Sequence, residues 1–108
     1  MKKKWKKPKI KHNKLTKWNW VVGHPKNLRL GKNVDIGAFT YINARYGVII
    51  EDNVQIGGGC HIYSHNTIND TKGLILIQEG ACIGAHSVIL PNVCIEANKL
   101  IKAGSVVR

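Results

Sequence analysis

From Leu30 onward, large aliphatic side chains return at a fixed interval. Leu30, Ile36 and Ile42 stand six residues apart, and the same step separates Ile50, Ile56 and Ile62, then Ile77, Ile83 and Ile89, then Ile95, Ile101 and Val107. Four positions after most of these comes a small or β-branched residue: Val34, Thr40, Val54, Cys60, Ala81, Ser87, Val93 and Ser105. A hexad with one large and one small inward position predicts a β-solenoid, in which each hexad makes one short strand and one corner. Three hexads close a triangular coil. The four triplets therefore predict an all-β chain of about four coils.

The corners can be read from the residues between the aliphatics. Asn33, Asn53, Gly80 and Asn98 each fall three residues after the first aliphatic of a triplet, where a left-handed backbone is expected because Asn and Gly tolerate it best. The next corner carries Ala38, Gly58, Ala85 and Ala103, small residues that imply tight stacked turns and a close approach by a ligand. The third corner is irregular. Ile42 to Ile50 spans eight residues and Ile62 to Ile77 spans fifteen, so insertions of two and nine residues fall at one place. Insertions in a solenoid project from one face, and that face often binds. The shorter holds Asn43, Arg45 and Tyr46; the longer, Tyr63 to Leu74, holds Ser64, His65, Asn66, Thr67, Asn69 and Asp70. Coils about 4.8 Å apart make these loops stacked neighbours. Ile68 keeps the six-residue step from Ile62, which leaves open an extra strand within the loop. Asp70 reads either as turn chemistry in NDTKG or as a group that steers an imidazole or an amine.

Composition adds a second region. The 108 residues are 44% apolar but only 6% aromatic, which suits one core built from Ile, Val and Leu. The net charge of +11 is local: nine lysines lie in residues 2–17 without an acid, while residues 18–108 carry eight Lys or Arg against six Asp or Glu. Residues 1–27 thus form a basic N-terminal arm and cap, and residues 28–108 the repeat domain. Pro8 and Pro25 oppose a long helix in the arm, residues 1–9 read as a flexible tail, and KWNWVVGHPKNL reads as the cap that an open terminal coil requires. Lysines at this density predict weak, salt-dependent contact of residues 2–17 with a polyanion, nucleic acid or anionic membrane, the function of a non-catalytic binding or scaffold solenoid. The start of the chain lacks the apolar stretch of a secretory signal and no run is long enough for a membrane span, so a cytoplasmic protein is expected. Cys60, Cys82 and Cys94 have neither disulfide-framework nor zinc-knuckle spacing, and Cys60 takes a small inward slot.

The segments GKNVDIGAFTYIN, IEDNVQIGGGCHIYSH, QEGACIGAHSVILPNVCI and IKAGSVV resemble the hexapeptide-repeat acyltransferases, which include sugar O-acetyltransferases and nucleotide-sugar N-acetyltransferases. The resemblance covers residues 28–108. It implies a left-handed parallel β-helix, acetyl-CoA as acyl donor, a sugar or nucleotide-linked sugar as acceptor, and a homotrimer with sites between neighbours. It also implies roles: His65 of YSHNT as general base and Asn43 of YIN as the group that orients the acceptor. Ala85, Ala103 and Gly104 would line the pantetheine arm of coenzyme A; Lys102, by its charge rather than by the resemblance, reads either as a contact to coenzyme A phosphates or as solvated surface. An alcohol or amine attacking a thioester must lose a proton, and an imidazole titrating near neutrality can take it. The chain departs from the family at Cys82, where a Trp is common, and at Lys102, where a Gly is usual; AGSVV is followed only by Arg108. Surface or interface places are expected for His61 and His86. A zinc site of the gamma-carbonic-anhydrase kind from His61, His65 and His86 would have its close pair first, the reverse of that family's order, so no metal is expected.

Overall fold

The computed structural model describes residues 5–108. All but two of its strands form three parallel sheets. The first runs Val21–Gly23, Tyr41–Asn43, His61–Tyr63, Val88–Ile89 and Val106–Val107 in spatial order. The second runs Leu28–Leu30, Val48–Ile50, Ile75–Ile77 and Cys94–Ile95, and the third Asp35–Ile36, Gln55–Ile56, Cys82–Ile83 and Leu100–Ile101. Each coil visits the second, third and first sheet in turn, giving four coils. The register stacks like on like: Leu30, Ile50, Ile77 and Ile95 form one column, Ile36, Ile56, Ile83 and Ile101 another, and Ile42, Ile62, Ile89 and Val107 the third. The twelve-residue ladder of the sequence is therefore the wall of the core. Its interior members are buried, while Leu30, Ile101 and Val107 at the two ends are only partly so.

The left-handed residues fall where Asn and Gly were expected, with φ of 58°, 61°, 74° and 61° at Asn33, Asn53, Gly80 and Asn98. At the next corner the left-handed residue comes one position beyond the small ones, at Phe39, Gly59, His86 and Gly104. The small residues answer to stacking. A Cβ on Gly57 would lie 2.6 Å from the backbone nitrogen of Ala85 in the following coil, and Gly37 and Gly84 are closer still to Gly58 and Ala103. Lys102 holds the same place in the fourth coil, beyond which no described coil is stacked.

The inward small position has its own logic. The Thr40 hydroxyl donates to the Gly57 carbonyl at 3.1 Å, the Cys60 thiol to that of Gly84 at 3.3 Å, and the Ser87 hydroxyl to that of Lys102 at 3.1 Å. Each of these buried side chains thus reaches one coil forward to a main-chain carbonyl, and the Lys102 carbonyl accepts from the Ser105 hydroxyl as well. Thr40 and Ser87 also accept an N–H from that next coil, at Cys60 and Ser105.

The N-terminal segment closes the first coil. Trp20 is 3% exposed, Asn13 N–H donates to the Val22 carbonyl at 2.8 Å, Ile10 packs against the core, and Trp5 Nε1 donates to the Val34 carbonyl at 3.2 Å. Of the flexible tail expected over residues 1–9, residues 1–4 lie outside the described part; from Trp5 onward the chain is tied to the coil. Val21–Gly23, within the arm-and-cap segment of the sequence reading, pairs in parallel with Tyr41–Asn43 and so begins the first sheet. Among the described residues no helix is long and apolar enough to cross a membrane.

Two outcomes follow from this packing. Gly84→Ala is expected to cost about 1–3 kcal/mol in denaturant unfolding, as overpacking does, whereas Lys102→Ala changes stability by less than ~0.5 kcal/mol. Burial pushes the Cys60 thiol above its ordinary pKa, while Cys94 is exposed. A thiol reagent at neutral pH should label Cys94 in the native protein and Cys60 only on unfolding.

Candidate functional site at the interrupted corner

The two interruptions fold differently. The shorter becomes a tight turn, with Gly47 N–H donating to the Ala44 carbonyl at 2.9 Å. The longer is a β-hairpin in which His65–Asn66 pairs antiparallel with Thr71–Lys72, His65 opposite Lys72. Ile68, the candidate start of an extra strand, sits instead at the hairpin tip and is 95% exposed. Buried Ser64 fixes the base: its N–H donates to the Asn43 carbonyl, its carbonyl accepts from Gly73 N–H, and its hydroxyl accepts from Tyr46 N–H at 3.0 Å. From the following coil, Asn92 Nδ2 donates to the Lys72 carbonyl at 3.2 Å and occupies the space that a side chain at residue 73 would need.

This base presents a compact set of polar groups. His65 keeps 12% of its side-chain surface, and its Nε2 lies 3.0 Å from Asp70 Oδ1; Lys72 Nζ is 3.8 Å from the other carboxylate oxygen. The hydrogen bond from His65, followed by the charge of Lys72, holds the Asp70 carboxyl below the usual carboxylate range. Asp70 is therefore ionised at neutral pH and can only accept, so a neutral His65 donates through Nε2 and carries its lone pair on Nδ1. The Tyr46 ring meets the imidazole edge-on at 5.2 Å and 84°. Arg45 and Lys72 stand 5.6 and 5.7 Å from that ring's centroid. Asn43 lies opposite Tyr63 in the sheet, with its Oδ1 accepting from Arg45 N–H at 3.0 Å; it shapes the turn that carries Arg45 and Tyr46. Such a cluster can accept a proton at Nδ1, hold the resulting imidazolium against a carboxylate, and attract an anionic group.

The other candidate residues lie elsewhere. Ala85, Ala103, Gly104 and Lys102 form the corner between the third and first sheets, tied by Gly104 N–H to the Ala85 carbonyl at 2.9 Å. The strands of the first sheet separate that corner from the His65 hairpin, so one chain does not bring the two sets together. His61 points outward from the first sheet and stacks on Tyr63 at 5.7 Å and 2°, with Tyr41 at 5.9 Å from the same Tyr63 ring. Burial, and then Tyr63, push the Tyr41 phenol upward. His86 is exposed at the small-residue corner beside Gly59. His61, His65 and His86 do not converge, and among the described residues no three His, Cys, Asp or Glu form a group able to hold a metal. Sequence reasoning missed the contact of Tyr46 with His65, although Tyr46 stood in the shorter insertion one coil away. Both sequence readings of Asp70 apply at once: a φ of 53° makes it a turn residue, and its carboxylate pairs with His65.

No protein-family model matches the chain, and no curated protein sequence matches it. Among solved structures, it is similar to a hexapeptide-repeat-containing acetyltransferase from Vibrio cholerae O1 biovar eltor, complexed with acetyl coenzyme A: the TM-score is 0.75 at 24% identity, over 82% of this chain. The match spans 54% of that enzyme's length, so this chain corresponds to about half of it. The likeness is one of fold, and the coil of this protein is a left-handed parallel β-helix.

Proposed function

We propose that the protein is an acetyl-CoA-dependent acetyltransferase acting on a hydroxyl or amine of a sugar or nucleotide-linked sugar, with His65 as general base. The observation that carries this reading is the His65–Asp70 pair, held at the corner where the hexads are interrupted. The acceptor attacks the thioester carbonyl while His65 Nδ1 takes its proton. Asp70 stabilises the imidazolium, and collapse of the tetrahedral intermediate expels the coenzyme A thiolate, to which the proton passes. No covalent acetyl-enzyme is required. Asn43, with its carbonyl oxygen committed to Arg45, offers its amide NH2 to the acceptor, and the cations Arg45 and Lys72 suit an acceptor that carries phosphate.

The donor belongs at the opposite edge of the first sheet. In this proposal Ala85, Ala103 and Gly104 line the pantetheine arm, Lys102 meets a phosphate, and a backbone N–H there polarises the thioester oxygen. Donor and base meet only when a second copy brings this corner against the His65 hairpin, which is the argument for a homotrimer with shared sites. Phe39, 72% exposed at the same corner, supports a contact there. Bound acetyl coenzyme A in the Vibrio structure supports the choice of donor, and a cytoplasmic location would supply it.

Coenzyme A release, measured with acetyl-CoA and a panel of sugars and nucleotide sugars, tests the reading. His65→Ala should lower turnover by about 10²–10⁴-fold, and unchanged turnover would remove His65 from its role. If no acceptor supports transfer by the parent chain, the non-catalytic solenoid replaces the enzyme. The tautomer is checked separately by 15N NMR at alkaline pH: the parent should show His65 protonated at Nε2, and Asp70→Asn should lose that strict preference.

A further inference from the structure

The cap carries chemistry that acetyl transfer does not use. Lys6, Lys7, Lys9, Lys11, Lys14 and Lys17 lie in a segment without an acid, and among the described residues Lys72 is the only lysine within ion-pair distance of a carboxylate. Residues 46–108 hold four Lys or Arg against five Asp or Glu. Positive charge is thus gathered at the end of the stack where the first coil is closed.

Within this segment one turn is built to expose apolar side chains. Buried Thr16 is its pivot: its carbonyl accepts from Asn19 N–H at 3.0 Å, and its hydroxyl accepts from the N–H groups of Trp18 and Trp20, each at 3.3 Å. Trp20 turns into the core, which leaves Trp18 46% and Leu15 61% exposed. Lysines flank both, and Lys17 Nζ stands 5.9 Å from the Trp18 ring. Because the turn is already ordered by its own hydrogen bonds, little entropy remains to be lost when it docks.

We propose that the turn from Leu15 to Trp18 is a peripheral docking element for an anionic lipid bilayer. Leu15 and Trp18 enter the interfacial region, where indole rings settle, and the surrounding lysines meet headgroup phosphates while their stems lie along the apolar boundary. Nucleic acid offers the same phosphates, but it gives an exposed aliphatic Leu15 nothing to enter, and Lys17 already sits over the ring a base would stack on. The proposal is independent of the acetyl-transfer reading.

Cosedimentation of the full chain with vesicles tests it, using phosphatidylcholine alone and phosphatidylcholine mixed with phosphatidylglycerol. Binding is expected only to the mixed vesicles, weakening as salt rises, with each lysine near the surface adding roughly fivefold. Leu15→Ser combined with Trp18→Ser should weaken binding at least about tenfold, with thermal unfolding unchanged because both side chains are exposed. Brominated acyl chains should quench a component of tryptophan fluorescence that Trp18→Ser removes. Lys14→Glu with Lys17→Glu should weaken binding as well. Failure to bind the mixed vesicles, full-strength binding by the Leu15/Trp18 variant, or tighter binding to a single-stranded oligonucleotide than to the vesicles would each overturn the proposal.

Discussion

Everything in this fold rests on coils laid directly on one another in parallel register. At the strand spacing of a sheet, about 4.8 Å, no inward-facing residue can differ much in size from the one stacked above it. Backbone hydrogen bonds along the strands must also run between adjacent coils rather than within one. The columns of Ile, the glycines beneath Gly58, Ala85 and Ala103, and the forward bonds of Thr40, Cys60 and Ser87 are three responses to that one constraint. The order is consistent from residue to coil, and a locally consistent pattern is what lets so short a repeat specify one structure.

Insertions are possible only where the stack does not pass through them. The third corner meets that condition because its loops leave the prism instead of crossing the core. The hairpin that results is more than an excursion. Ser64 below and Asn92 above hold its base to neighbouring coils, so His65 stands on a rigid platform while Ile68 at the tip does not. Rigidity at the base is what a proton acceptor needs, since its lone pair must keep its direction between free and bound states. Asp70 and Tyr46 fix the imidazole from two sides.

The repeat made the scaffold legible before any coordinates, because each inward position is dictated by packing that recurs every six residues. The left-handed Asn33, Asn53 and Asn98 were legible for a similar reason: the conformation selects the residue type. What escaped was whatever depends on one coil speaking to another outside the register. The contact of Tyr46 with His65 joins two loops of unequal length, and no spacing encodes it. Ile68 kept the period by coincidence, since the hairpin's own pairing overrode it. The role of Phe39 as a left-handed residue was hidden because a bulky aromatic does not favour that conformation, and tertiary context prevailed. The small residues Ala38, Gly58, Ala85 and Ala103 are accounted for by stacking within one chain, and the role proposed for Ala85 and Ala103 beside coenzyme A would be an addition to that.

The central claim is a division of labour: unbroken hexads build the scaffold, and the interrupted corner carries the chemistry. Ser64 and Gly73 are joined by a backbone hydrogen bond of 2.9 Å, so residues 65–72 can be replaced by an Asn-Gly turn across a gap the chain already spans. The most direct measurement pairs thermal unfolding with acetyl transfer for that shortened chain. The account predicts an unfolding transition close to the parent's together with loss of transfer. Full transfer without the hairpin, or collapse of the coil on its removal, would contradict it.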